Sequence, residues 1–237
     1  MDFELIINFI IILISIIFII YLLFVSTQNN NRGEHFEIIS QESKNKLLKT
    51  MEITDKVFTE NNLWYIIALG SLLGAVRHHN IIPWDDDIDL FVKHKDLNKL
   101  KHVLNELVQQ YNLHVETYQN RLFRIYSNME DKTKFFIDIF IIKSDGDIIH
   151  RCLLQEDKCM ELNKSQQWFH KSFGFKDEYI KNRKRYKFGN IFVWGPQNPM
   201  NLLSFWYGDD CLTTCKTHYL KDHKYVVEQE TIDCNIR

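Results

Sequence analysis

The chain of 237 residues carries 29 Lys plus Arg against 31 Asp plus Glu, with 45% hydrophobic residues, 8 Gly and 3 Pro. That composition excludes a disordered or collagen-like chain and leaves room for one domain of ordinary size with an added segment. The near balance of charge lacks the basic excess of a phosphate-neutralising protein, so no nucleic-acid partner is expected.

Residues 5–25, LIINFIIILISIIFIIYLLFV, contain no charged side chain. At 1.5 Å per residue they make a helix of about 31 Å, long enough to cross the hydrocarbon core. Asp2 and Glu4 stand where a cleavable signal would be basic, so residues 1–25 are expected to be a retained membrane anchor. Arg32, Lys44, Lys46 and Lys49 follow the span, and counting them leans toward a cytosolic C-terminal domain. An acceptor sequon, Asn163-Lys164-Ser165, would serve glycosylation on the lumenal side. Residues 26–34 read as a polar linker, which leaves 35–237 as the functional domain.

Ser40 or Ser43 can cap a helix whose apolar positions Leu47, Leu48, Met51, Val57 and Phe58 end at Asn61-Asn62. Leu63 to Leu69 reads as a buried strand, Ser71 to His79 as a short helix with a basic end, and Ile88 to Val92 as a second strand. Lys95 to Tyr111 carries leucines at 97, 100, 104 and 107, the stripe of an amphipathic helix. Leu113–Tyr118, Leu122–Tyr126 and Lys134–Lys143 read as further strands, the last followed by an Asp145-Gly146 hairpin signal. Beyond residue 151 the pattern weakens, and Lys181 to Lys187 reads as a solvated charge run. The sum is an α+β domain with a mixed sheet.

Five cysteines, at 152, 159, 211, 215 and 234, are an odd number. The pairs Cys152/Cys159 and Cys211/Cys215 lack the C-x2-C spacing of common zinc sites, so buried or disulfide-bonded Cys is the expectation over zinc.

The chemistry concentrates in Gly70 to Phe91, GSLLGAVRHHNIIPWDDDIDLF. Along a strand Asp87 and Asp89 point one way, about 7 Å apart, while Ile88 and Leu90 point into the core. Asp138, between Ile137 and Ile139, repeats the arrangement on a later strand. Three carboxylates beside apolar sheet repel one another and call for protons or a hard cation, Mg2+ or Mn2+. Gly70-Ser71 before a helix offers backbone N–H groups and a hydroxyl to a phosphate, or a plain turn with an N-cap. Arg77 reads as a phosphate ligand or a helix C-terminal cation. Trp84 reads as a base-stacking residue or a cover for the core, with core favoured, and His78 and His79 as surface residues.

The stretch LLKTMEITDKVFTENNLWYIIALGSLLGAVRHHNIIPWDDDIDLFV resembles the LicD family, which includes bacterial phosphocholine transferases and, more distantly, the fukutin-related ribitol-phosphate transferases. The Gly-Ser turn, the Asp-x-Asp strand and a third carboxylate also resemble the nucleotidyltransferase superfamily. The likeness is dense over residues 47–92, places Asp138 third, and thins toward Tyr207-Gly208-Asp209 and the basic segment His218 to Lys224. It implies a nucleotidyltransferase core of the polymerase-β type. It also implies metal-dependent transfer of phosphocholine or a polyol phosphate from a CDP-activated donor to a glycan acceptor. In that reading Asp87, Asp89 and Asp138 are catalytic metal ligands, Asp138 doubles as proton acceptor, and Gly70, Ser71, Arg77 and Trp84 contact substrate. Asp85 shares the strand parity of Asp87, so the ligand assignment within the cluster stays open. The competing readings are a nucleotidyltransferase acting on a small molecule and an inactive membrane-anchored glycan-binding protein.

Overall fold

A computed structural model describes residues 38–237 except 119, 129–134, 156, 161–173, 222–223, 233 and 235–237, together with residues 16, 18 and 19. The expected anchor over residues 1–25 lies outside the described residues apart from those three, as do the expected linker 26–34 and the sequon at Asn163. Among the described residues no helix is long and apolar enough to cross a membrane.

The chain divides into two units, 38–216 with 231–237, and 1–37 with 217–230. In the smaller unit the described backbone is mainly that of paired strands, which belong to a two-stranded sheet of residues Cys215–Lys221 and Lys224–Ile232. All that follows concerns the larger unit.

Helix α1 (Gln41–Glu60) begins where Ser40 accepts a hydrogen bond from the Ser43 amide at 3.1 Å and ends at Asn61. Its apolar positions recur at helical spacing, and Leu47, Leu48, Met51, Val57 and Phe58 are buried. Strand β1 (Tyr65–Ile67) runs into α2 (Leu69–Arg77), and β2 (Asp87–Lys93) leads through a 3-10 turn to α3 (Leu97–Tyr111). There follow β3 (His114–Tyr118), β4 (Leu122–Tyr126), β5 (Phe136–Asp145), β6 (Ile148–Arg151), the short strands β7 (Leu153–Gln155), β8 (Lys158–Met160) and β9 (Phe175–Lys176), β10 (Arg183–Phe188), β11 (Ile191–Pro196) and α4 (Met200–Tyr207).

The main sheet runs β1-β2-β5-β4-β3, with β6 and β9 continuing from β5. β2 and β5 are parallel, and the other neighbours antiparallel. This is the mixed sheet expected of an α+β domain. Because side chains alternate along a strand, register decides the two faces. Ile88, Leu90 and Val92 stand opposite Ile137, Ile139 and Ile141, all fully buried, and α1 and α3 pack on these strands. The other face of β2 reads Asp87, Asp89, Phe91, and that of β5 reads Phe136, Asp138, Phe140. Phe91 stacks on Phe175 at 5.9 Å between centroids and meets Trp206 and Phe140 edge-on. The carboxylates therefore share their sheet face with an aromatic cluster.

The charge run Lys181 to Lys187 is not simply a solvated face. Its residues form β10, paired with β11, with Tyr186 and Phe188 buried and Arg185 set opposite Trp194. The Arg185 guanidinium holds both oxygens of Asp55 at 2.6 and 2.7 Å, the Tyr65 hydroxyl donates to the same carboxylate, and Arg183 donates to the Tyr65 carbonyl at 3.0 Å. The cysteines are disulfide-bonded or buried, as expected: Cys152 pairs with Cys159 and Cys215 with Cys234, and Cys211 is free and buried.

Candidate active site

The junction from β1 to α2 is abrupt. Leu69 takes a positive φ of 48°, a strained conformation for a branched side chain. Gly70 and Ser71 then lie inside the first turn of α2 and not ahead of it, because the helix begins at Leu69. No side chain caps this terminus, so its first amides remain available to an anion. A Cβ on Gly70 would stand 2.6 Å from a carboxylate oxygen of Asp85, so glycine here lets the acidic loop close against the helix. The Ser71 hydroxyl accepts the Asp89 amide at 2.8 Å, and the Ala68 amide donates to the Asp89 carbonyl at 2.9 Å. The helix start is thereby bolted to the strand that carries the carboxylates.

Oxygens of Asp85, Asp86 and Asp87 lie within 4.8 Å of one another. Asp89 is next along β2 and directly opposite Asp138 on β5. Burial, followed by Asp86, pushes the Asp85 carboxyl up to about 7, a rise partly offset by its hydrogen bond with Asp87. Asp87 is held well above the usual carboxylate range by burial and then by Asp89, Asp85, Asp138 and Asp86. Asp89 is raised for the same first reason, with Asp85 and Asp138 adding and Arg151 and Arg124 opposing. An all-oxygen set with this excess of negative charge suits a hard divalent cation.

The expected Asp87, Asp89 and Asp138 share one face of β2 and β5, and the tightest grouping lies at the start of that row. The three carboxylates that converge are consecutive in sequence, whereas Asp138 is tied to Arg124 through Nε–Oδ1 at 2.8 Å and Nη2–Oδ2 at 3.0 Å. Arg151, on β6, is 6% exposed, and its guanidinium feels both Asp138 and Asp89.

Arg77 and Trp84, each read two ways from sequence, have protein partners, and Trp84 takes its favoured place against the core. Arg77 donates to the Cys211 carbonyl and to the His78 ring, each at 2.9 Å, and so anchors the segment after Tyr207. Trp84 lies edge-on to His78 and packs on the core. His78, half-buried, is lowered to about 4 by burial, then by Arg77 and Lys44, which makes it a neutral acceptor for the Arg77 N–H. Tyr207, in the Tyr207-Gly208-Asp209 segment marked by the resemblance, has its hydroxyl held well above the ordinary value by burial and then by Asp89, Asp85 and Asp87, and its helix α4 contacts α2. Arg124 had a visible signal in sequence, a lone cation in the apolar strand LFRIY.

A Gly-Ser helix start joined to an Asp-x-Asp strand, with a third carboxylate on the parallel neighbour, is the layout of a nucleotidyltransferase-type centre. The family described as LicD/FKTN/FKRP, nucleotidyltransferase domain, matches residues 62–198, and the chain belongs to that family. It is 34% identical over 170 residues to the uncharacterized protein RP689 of Rickettsia prowazekii, covering 71% of this chain and 56% of that one. Over 169 residues it is 31% identical to the uncharacterized protein RT0683 of Rickettsia typhi, covering 71% and 48%. The chain thus spans about half the length of these relatives. A shorter match, 31% over 90 residues and covering 32% and 34%, is to the lipopolysaccharide cholinephosphotransferase LicD of Haemophilus influenzae. Among solved structures, a STING-associated CdnE c-di-GMP synthase from Capnocytophaga granulosa gives a TM-score of 0.34 at 16% identity over 54% of this chain and 44% of that chain.

Proposed function

We propose that this chain transfers a phosphorylated alcohol, phosphocholine or a polyol phosphate, from a CDP-activated donor to a glycan hydroxyl. The observation that carries the reading is the convergence of Asp85, Asp86 and Asp87 beside Asp89 and Asp138, within a LicD-family domain.

The acceptor oxygen attacks the phosphorus that bears the alcohol. One O–P bond forms, the P–O bond to CMP breaks with its electron pair leaving on CMP, and the hydroxyl proton passes to a base. Asp85, Asp86, Asp87 and Asp89 are the side chains that would hold Mg2+ or Mn2+. When bound, that ion supplies neutralisation of charge developing on the diphosphate. The first-turn amides of α2, at Gly70 and Ser71, orient the donor phosphate. Asp138, beside Asp89, is the base of this reading: burial holds its carboxyl above the ordinary value although Arg124 occupies both oxygens. Two disulfides support an oxidising compartment for the domain, against the charge count around the expected anchor; a mobility change on reduction of the chain taken from its own membrane tests this.

The decisive experiment is thermal shift of the full chain against CDP-alcohols, other nucleotide-activated sugars and free nucleotides, with and without Mg2+ or Mn2+. Saturation at about a hundred times the dissociation constant stabilises the fold by about 2.7 kcal/mol. Metal-dependent stabilisation by one CDP-alcohol is expected. A response to nucleoside triphosphates alone would move the assignment to a nucleotidyltransferase, and silence across the panel to the inactive glycan-binding reading.

A further inference from the structure

Arg124 has no part in the reaction as drawn, yet it is 8% exposed, placed on the sheet face that carries the carboxylates. Registers on either side of β5 set Arg124 opposite Asp138 and Asp138 opposite Asp89, so the three side chains form one row across β4, β5 and β2. The guanidinium meets Asp138 as a fork on both oxygens, at 2.8 and 3.0 Å. It also lies over the rings of Phe136 at 3.4 Å and Tyr118 at 4.2 Å, contacts that suit a flat, weakly hydrated cation and fix its plane. A lysine could supply the charge but not the fork.

We propose that Arg124 is a positioning residue and the resident counter-cation of the carboxylate row: it fixes the plane of Asp138 and competes with a divalent ion for the charge of Asp89 and Asp138. The row is rich in carboxylates, and Arg124 and Arg151 are the two cations that oppose ionisation losses at Asp89. Removing one of them raises the pull on any cation entering the site. Removing the fork lets Asp138 turn, and the acceptor and donor lose a fixed neighbour. Charge and geometry are thus separable in one side chain. The role deepens the transfer reading, on which its kinetic half rests; its cation-binding half stands without it.

The test is Mn2+ titration of the full chain by calorimetry, run beside transfer kinetics with the donor found in the thermal scan. Arg124→Gln is expected to bind Mn2+ at least about fivefold more tightly than wild type and to lose about a hundredfold in kcat. Arg124→Lys keeps the charge without the fork, so it is expected to hold Mn2+ affinity within about twofold while kcat stays low. Equal or weaker Mn2+ binding in folded Arg124→Gln overturns the proposal, as does full recovery of kcat in Arg124→Lys. If Arg124→Gln does not fold, the wild-type chain still decides. The Arg124 Nε proton, identified by its loss in Arg124→Lys, is expected to exchange with water faster when Mg2+ saturates the site, and unchanged exchange overturns the proposal. Normal Mn2+ effects with no transfer from any donor sink the transfer reading alone; absence of Mn2+ binding in wild type sinks both.

Discussion

Two charged clusters flank β2, and they are built on opposite rules. Beside its C-terminal end, Asp55 is satisfied on every side: Arg185 takes both oxygens, Tyr65 adds a hydroxyl, and Arg185 rests against Trp194 at 5.1 Å. At the N-terminal end, Asp85, Asp87 and Asp89 are crowded together half-buried; Asp85 and Asp89 raise the proton affinity of Asp87, and Asp85 that of Asp89. The first cluster is a staple that fastens the β10–β11 hairpin to the sheet and α1. The second crowds like charges, which protons, a ligand or a cation can relieve, and that difference singles it out as the proposed site.

The sharpest break of this comparison is a pair of isosteric or truncating changes. Asp89→Asn removes one crowded charge at constant shape, so transfer should fall by about a thousandfold or more while Tm without metal stays equal or rises. The Mg2+-induced shift in Tm should shrink with it. Asp55→Ala should do the reverse. It strands the Arg185 and Tyr65 donors and should cost about 2–4 kcal/mol in a denaturant titration, leaving kcat per folded molecule unchanged. A stable Asp55→Ala or a strongly destabilised Asp89→Asn would show that the two clusters are not different in kind.

Gly70→Ala probes the contact between helix and acidic loop. The added methyl would meet an Asp85 oxygen at 2.6 Å, an atom at the end of a short side chain that can move. Stability should drop by only about 1–2 kcal/mol, whereas kcat should fall about tenfold because Asp85 is pushed out of the group it forms with Asp86 and Asp87. Equal loss in both would mean that the helix start itself had shifted.

Local signals made the N-terminal half readable. Ser40 and Asn61 bound α1 as the sequence suggested, Leu122–Tyr126 is a strand at those residues, and the turn after Asp145 joins β5 to β6. Asp87 and Asp89 were legible because period-two alternation fixes their face whatever the rest of the chain does. What depends on distant register was not. That Arg124 meets Asp138 follows from the pairing of β4 with β5, which no local pattern reports, and the sequence left Arg77 open between a phosphate and the helix end because its partner Cys211 lies 134 residues away. The start of α2 was misplaced by two residues, since Ala68 offers no capping side chain to mark it. In β10 the cations concealed the inward positions Tyr186 and Phe188.

The smallest effect concerns the segment that joins the two clusters. His78 is neutral in the fold, lowered to about 4 by burial and then by Arg77 and Lys44, while unfolded it titrates near 6.5. Between those values the unfolded chain binds a proton that the folded chain refuses, so stability rises with pH across about 4 to 6.5 and is flat above. The contribution is roughly 1–2 kcal/mol once solvent screening of a half-buried ring is allowed for. His78→Gln keeps an acceptor for the Arg77 N–H but cannot titrate. Its urea midpoint should therefore change less than that of wild type between pH 4.5 and 7, and an identical pH slope would assign the acid sensitivity to groups other than His78.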